Sequence, residues 1–61
     1  MLKIKLSISD SGVTLNGLFY DAKQNKCSIN RHYSNEENAM NEIQEMRDMD
    51  CEFSLVVLRK V

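Results

Sequence analysis

The chain has no proline and no tryptophan, and only two glycines, two cysteines and one histidine. No apolar run approaches the roughly 20 residues of a membrane span, so no membrane-crossing helix is expected. The opening Met1-Leu2-Lys3-Ile4-Lys5 alternates charge with hydrophobe and has no apolar h-region. No signal peptide is expected, and the natural setting is the cytoplasm, of the protein's own cell or of a host. In a reducing compartment Cys27 and Cys51 read as thiols rather than as a bridge.

Two cysteines and one histidine, with no C-x-x-C, fall short of a four-ligand zinc site. Met40, Met46 and Met49 read as core filling rather than ligands, because methionine adapts to gaps. His32 has no serine, cysteine or carboxylate at a recognisable catalytic spacing. Cys27, five residues earlier, alternates onto the opposite side of the same extended segment. There is no glycine-rich phosphate loop. No catalytic, cofactor-binding or metal-ligating residue is therefore assigned, and the chain reads as a non-enzyme. Six asparagines with many lysines, isoleucines and methionines fit an AT-rich gene of the kind found in phages and mobile elements.

What is present is a division of charge. Residues 36 to 52 hold seven acids against Arg47 alone, net −6, whereas the rest holds seven bases against Asp10 and Asp21, net +5. The overall −1 conceals two unlike halves.

Leu2, Ile4, Leu6 and Ile8 alternate with Lys3, Lys5, Ser7 and Ser9, the period-two pattern of a half-buried strand. Asp10-Ser11-Gly12 ends it as a hairpin turn. Val13, Leu15, Gly17 and Phe19 give a second strand one face. A polar connection over 21–26 leads to a third, at about 27–33, with Cys27 and Ile29 inward. Ser34-Asn35-Glu36-Glu37 has the S-x-x-E form of a capping box. Ala39, Met40, Ile43, Met46 and Met49 follow at helical spacing, so a helix is expected over 35–49. Cys51, Phe53, Leu55 and Val57 then alternate as a fourth strand.

The fold expected is α+β: βββαβ, a four-stranded mixed sheet with one amphipathic helix on one face, in a single small domain of 61 residues. Sequential hairpins place the first three strands side by side. The fourth joins either the first or the third; the favoured order is 3-2-1-4. A domain this small buries only about 60% of its unfolded surface, which makes a homodimer an attractive expectation.

One helix cannot cover both faces of such a sheet. The expected core face carries Leu2, Ile4, Leu6, Ile8, Val13, Leu15, Phe19, Cys27, Ile29, Phe53, Leu55 and Val57. The other face carries Lys3, Lys5, Leu18, Tyr20, His32, Val56, Leu58 and Lys60. A solvated sheet face should be polar, and Leu18, Tyr20, Val56 and Leu58 break that rule. Such residues either stand singly, which is normal, or mark a surface for a protein partner. Tyr20 and His32 with Lys3, Lys5 and Lys60 also resemble a base-stacking platform, although the negative net charge argues against nucleic acid. Glu37, Glu42, Glu45 and Asp48 offer a third surface, an acidic helix that could imitate a phosphate backbone, though sparsely. The favoured expectation is a protein-interaction domain acting by occlusion, such as an inhibitor or regulator of a host protein. The alternatives are a nucleic-acid-binding regulator and a nucleic-acid mimic.

Overall fold

The computed structural model describes residues 2–59 and has the order βββαβ: β1 (Lys3–Ser9), β2 (Gly12–Tyr20), β3 (Lys26–Tyr33), α1 (Glu36–Asp48) and β4 (Ser54–Arg59). Lys60, expected on the open face, lies outside the described residues. The strands form one sheet in the order β3-β2-β1-β4. β1 pairs antiparallel with β2 and parallel with β4, and β2 pairs antiparallel with β3. The hairpins arise where the turn residues allow them. Gly12 has φ +129°, a conformation L side chains rarely adopt.

Alternation holds along β1 and β2. Ile4, Leu6, Val13 and Leu15 are buried beneath the helix residues Ala39, Ile43 and Met46, with Phe53 closing the layer. Ile8, Phe19, Ile29, Tyr33, Cys51 and Leu55 pack around it, half-buried. The helical stripe is narrower than its spacing implies. Met40 is 43% exposed and Met49 70% exposed. At 100° per residue each lies about 90° from the centre of the Ala39–Ile43–Met46 stripe, on its shoulders. Val57, expected in the core, is 46% exposed. It does share a face with Leu6, its partner in the ladder. However, α1 packs chiefly on β2 and β3 and leaves that end of β4 uncovered.

The helix begins one residue later than the capping box places it. The N-cap is Asn35, whose Oδ1 accepts the N–H of Asn38 at 2.9 Å. Ser34 keeps only a 3.4 Å contact, its Oγ accepting from the Asn38 side chain. Asparagine is as good an N-cap as serine, so the one-residue shift keeps the first turn capped. Glu36 and Glu37 still occupy the first turn, where acids favour the positive end of the helix dipole.

Candidate interaction face

The ladder registers convert the open face into a grid. Across the sheet from β3 to β4 one row reads His32, Thr14, Ser7, Leu58, and the next reads Asn30, Asn16, Lys5, Val56. Further along, Leu18 lies opposite Ser28, Lys3 beside Ser54, and Tyr20 opposite Lys26. Beyond the start of β1 the chain leading into β4 reaches past it to β2. Tyr20 and Glu52 exchange both backbone hydrogen bonds, at 2.9 and 2.7 Å.

Lys3 and Lys5, both exposed, therefore form the central strip. Leu18, 37% exposed, and the half-buried Tyr20 flank it on β2. Val56, half-buried, and Leu58, 47% exposed, flank it on β4. Among the described residues no helix lies on this side. The apolar residues form two short pairs set on a diagonal, Leu18 and Tyr20 at the Lys3 end and Val56 and Leu58 beside Lys5 and Ser7, and lysine stems can lie along apolar surface while their heads stay in water.

His32 is not part of that cluster. It lies opposite Thr14, with Nδ1 3.4 Å from the threonine Oγ1, and its ring stands over Gly12. Tyr20 is six residues further along β2, about 20 Å at strand rise. The two rings sit at opposite ends of the face and cannot stack on neighbouring bases.

The acidic helix residues also separate. Glu42 is paired with Arg31 at 3.0 Å and belongs to the seam between α1 and β3. Glu36 is likewise paired with Arg59 at 2.9 Å. Glu37, Glu45 and Asp48 remain exposed, Asp48 accepting from Gln44 at 3.0 Å. The outward acidic face is thus three carboxylates rather than four.

Two shallow grooves indent the other side. One, of about 210 Å³, lies between β3 and α1 and is lined by Phe19, Ile29, Arg31, Glu42 and Met46 among others. Its charges neutralise each other. Tyr33, half-buried on the inward side of β3, lies near this seam with its hydroxyl buried and unpartnered. Burial pushes its phenol up, and the Glu42 carboxylate adds to the shift.

The second groove, about 320 Å³, lies by the β2–β3 connection and is lined by Asp21, Lys23, Asn25, Met49 and Cys51 among others. Asp21 organises this end. Its Oδ1 accepts the N–H groups of Lys23 and Asn25, both at 2.9 Å. The Asn25 bond is the leading cause that holds the carboxyl below its usual range. Cys27 Sγ lies 3.9 Å from Asp21 Oδ2. Burial pushes the Cys51 thiol up, and the Asp21 charge reinforces it, so the arrangement disfavours a thiolate. Cys27 and Cys51 are both free thiols. Among the described residues, no three His, Cys, Asp or Glu side chains converge as a metal site would require. No described helix is long and apolar enough to cross a membrane. Set against known proteins, the chain matches no family model, no curated protein and no solved structure.

Proposed function

We propose that the chain is a small non-enzymatic interaction module whose open sheet face docks an acidic, partly apolar partner protein. It acts by covering a surface of that partner, not by chemistry. The concrete form is an inhibitor or regulator, encoded by a phage or mobile element, working on a host protein in the cytoplasm. One observation carries this reading. On the face away from α1, the described residues place Leu18 and Tyr20 on β2 towards the Lys3 end of β1, and Val56 and Leu58 on β4 beside Lys5 and Ser7, so the two apolar pairs lie on a diagonal across the lysines. The apolar pairs supply burial, and the lysines select a partner of opposite charge.

The nucleic-acid reading is weaker, because its two stacking rings stand at opposite ends of the sheet. The mimic reading is weaker too, because Glu42 is already neutralised by Arg31.

The test compares tagged wild type with Tyr20→Ala/Leu58→Ser. Neither residue belongs to the buried core. The partner captured by wild type is purified and titrated against both. Loss of a tyrosine anchor should cost about 2 kcal/mol or more, a weakening of roughly 30-fold. Equal affinity of the two would remove the open face from consideration and move attention to Glu37, Glu45 and Asp48. Retention on immobilised nucleic acid at low salt, abolished by Lys3→Glu/Lys5→Glu, would favour the nucleic-acid alternative.

A further inference from the structure

The groove between β3 and α1 has an apolar floor. Phe19 and Ile29 are half-buried in it beside the buried Met46. At about 210 Å³ it is smaller than the roughly 300–1,000 Å³ of a small-molecule site, and it suits a single side chain. Ser28 and Asn30 also line it. Their side chains belong to the open face, so what they offer the groove is main chain.

β3 is an edge strand, and its free backbone groups can be identified. Tyr20 exchanges both backbone bonds with Glu52, so the even-numbered residues of β2 turn their polar groups away from β3 and the odd-numbered ones towards it. The N–H of Asp21 accordingly donates to Asn25 at 3.0 Å. Phe19 lies opposite Cys27 and Gly17 opposite Ile29, so the odd-numbered residues of β3 answer them. The N–H and C=O groups of Ser28 and Asn30 therefore point outward, along the rim of the groove. The residues between Lys26 and Arg31 carry no charge, and Arg31 is drawn aside to Glu42 at 3.0 Å. The charges that natural sheets use to guard an edge are missing from this stretch.

We infer that the β3 edge and this groove together form a binding site for an extended protein segment, which adds to the sheet as a fifth strand antiparallel to β3. Backbone bonds to Ser28 and Asn30 hold the segment, and one of its apolar side chains fills the groove. In an antiparallel pair the residue opposite Ile29 makes no ladder bonds, approaches to about 4.5 Å between Cα atoms and keeps its side chain on the same face. That face is the helix side, so the side chain enters between Ile29, Phe19 and Met46.

Charge sets the rest of the segment. The residue three places further on lies opposite Lys26, which is exposed and has no ion-pair partner among the described residues. The segment recognised therefore carries a bulky apolar residue followed three positions later by Asp or Glu. α1 packs chiefly on β2 and β3, so a free ladder and a helix wall coincide at β3 and not at the far end of β4. This inference does not depend on the open face docking a partner.

The probe is a synthetic peptide, acetyl-Thr-Thr-Thr-Leu-Thr-Val-Glu-Thr-amide, titrated into the isotope-labelled chain up to about 1 mM and followed by NMR. Shifts should centre on the Ser28 and Asn30 amides, and their hydrogen exchange should slow. Alanine in place of the peptide leucine should weaken binding at least about 10-fold. N-methylation of the threonine after leucine, whose N–H meets Ser28, should abolish binding. N-methylation of the leucine, whose N–H points away, should be tolerated. Lys26→Glu should weaken this peptide and favour one with lysine in place of its glutamate. Ser28 and Asn30 amides that stay unmoved throughout the titration overturn the inference, as does binding that ignores the N-methyl position or the charge exchange. Shifts centred on Leu55 and Val57 would place the strand on the other edge and overturn it. Shifts centred on Lys3, Lys5 and Leu18 would overturn it while leaving the open-face reading standing. Protection of Ser28 and Asn30 that grows with the concentration of the chain alone would put a second copy on this edge and overturn the peptide assignment.

Discussion

Asp50 sits where the helix ends, at φ +62°. The turn is a complete Schellman motif: the N–H of Asp50 donates to Arg47 at 3.1 Å, and that of Cys51 reaches back to Met46 at 3.0 Å. Glycine normally occupies this left-handed position, because an L side chain there costs roughly 1–2 kcal/mol. Asp50→Gly should relieve that cost. It returns about 0.4–1 kcal/mol through the greater freedom of glycine in the unfolded chain. It also removes a negative charge from the negative end of the helix dipole, a gain of about 0.3–1 kcal/mol. The net expectation is a stabilisation of about 1 kcal/mol, worth roughly 4–8 °C in a domain of this size. Asp50→Ala is the control. It loses the same charge but keeps a Cβ, so Asp50→Gly should exceed it by about 1 kcal/mol. Urea unfolding followed by circular dichroism reads the difference as a shift in midpoint at constant slope. If Asp50→Ala is as stable as Asp50→Gly, the left-handed cap is not a source of strain and the reasoning fails.

Other consequences are equally accessible. Asn35→Ala should cost about 1 kcal/mol in urea unfolding. Ser34→Ala should cost much less, because its side chain makes one long exposed contact. Gly17→Ala should lower the urea midpoint strongly, at a cost of about 3 kcal/mol. A methyl there would overlap the Lys3 carbonyl and lie 2.6 Å from the Ile4 Cα, and backbone atoms cannot swing aside. Asp21 has its carboxyl lowered chiefly by the Asn25 N–H, so its contribution is present above the ordinary carboxylate pKa and is lost as pH falls through the lowered value. The stability gap between wild type and Asp21→Asn should therefore close in acid, and an NMR titration of Asp21 should show a midpoint below 3.8.

Helix placement and most of the core were legible because β1 alternates without error, Val13 and Leu15 continue the pattern on β2, and the turn at Asp10–Gly12 fixes their register. The cap was misplaced by one residue because Ser34 and Asn35 are chemically equivalent starts. Val57 follows the alternation faithfully and is still exposed. Alternation assigns a face, but it does not say how far a helix extends over that face. The open-face residues could be named from parity, yet their grouping required the register. It joins Lys3 and Lys5 to the apolar pairs and sends His32 to the far end. Parity puts Arg31 and Tyr33 on the inward side of β3 with Cys27 and Ile29, but the Arg31–Glu42 pair depends on where α1 crosses β3.

The parallel pairing of β1 with β4 also bears on how the chain finds its fold. Bringing Lys3 beside Ser54 closes a loop that spans nearly the whole described chain, whereas the two hairpins close short ones. Local pairings form ahead of distant ones, so the three-stranded meander should assemble first and β4 should dock last. Conservative substitutions in the β1–β2 hairpin should then slow folding, while those in β4 should chiefly speed unfolding. Until the last strand docks, the β1 edge offers its own free ladder to any extended segment nearby. The time this chain spends exposed to mispairing is therefore set by the arrival of its final strand.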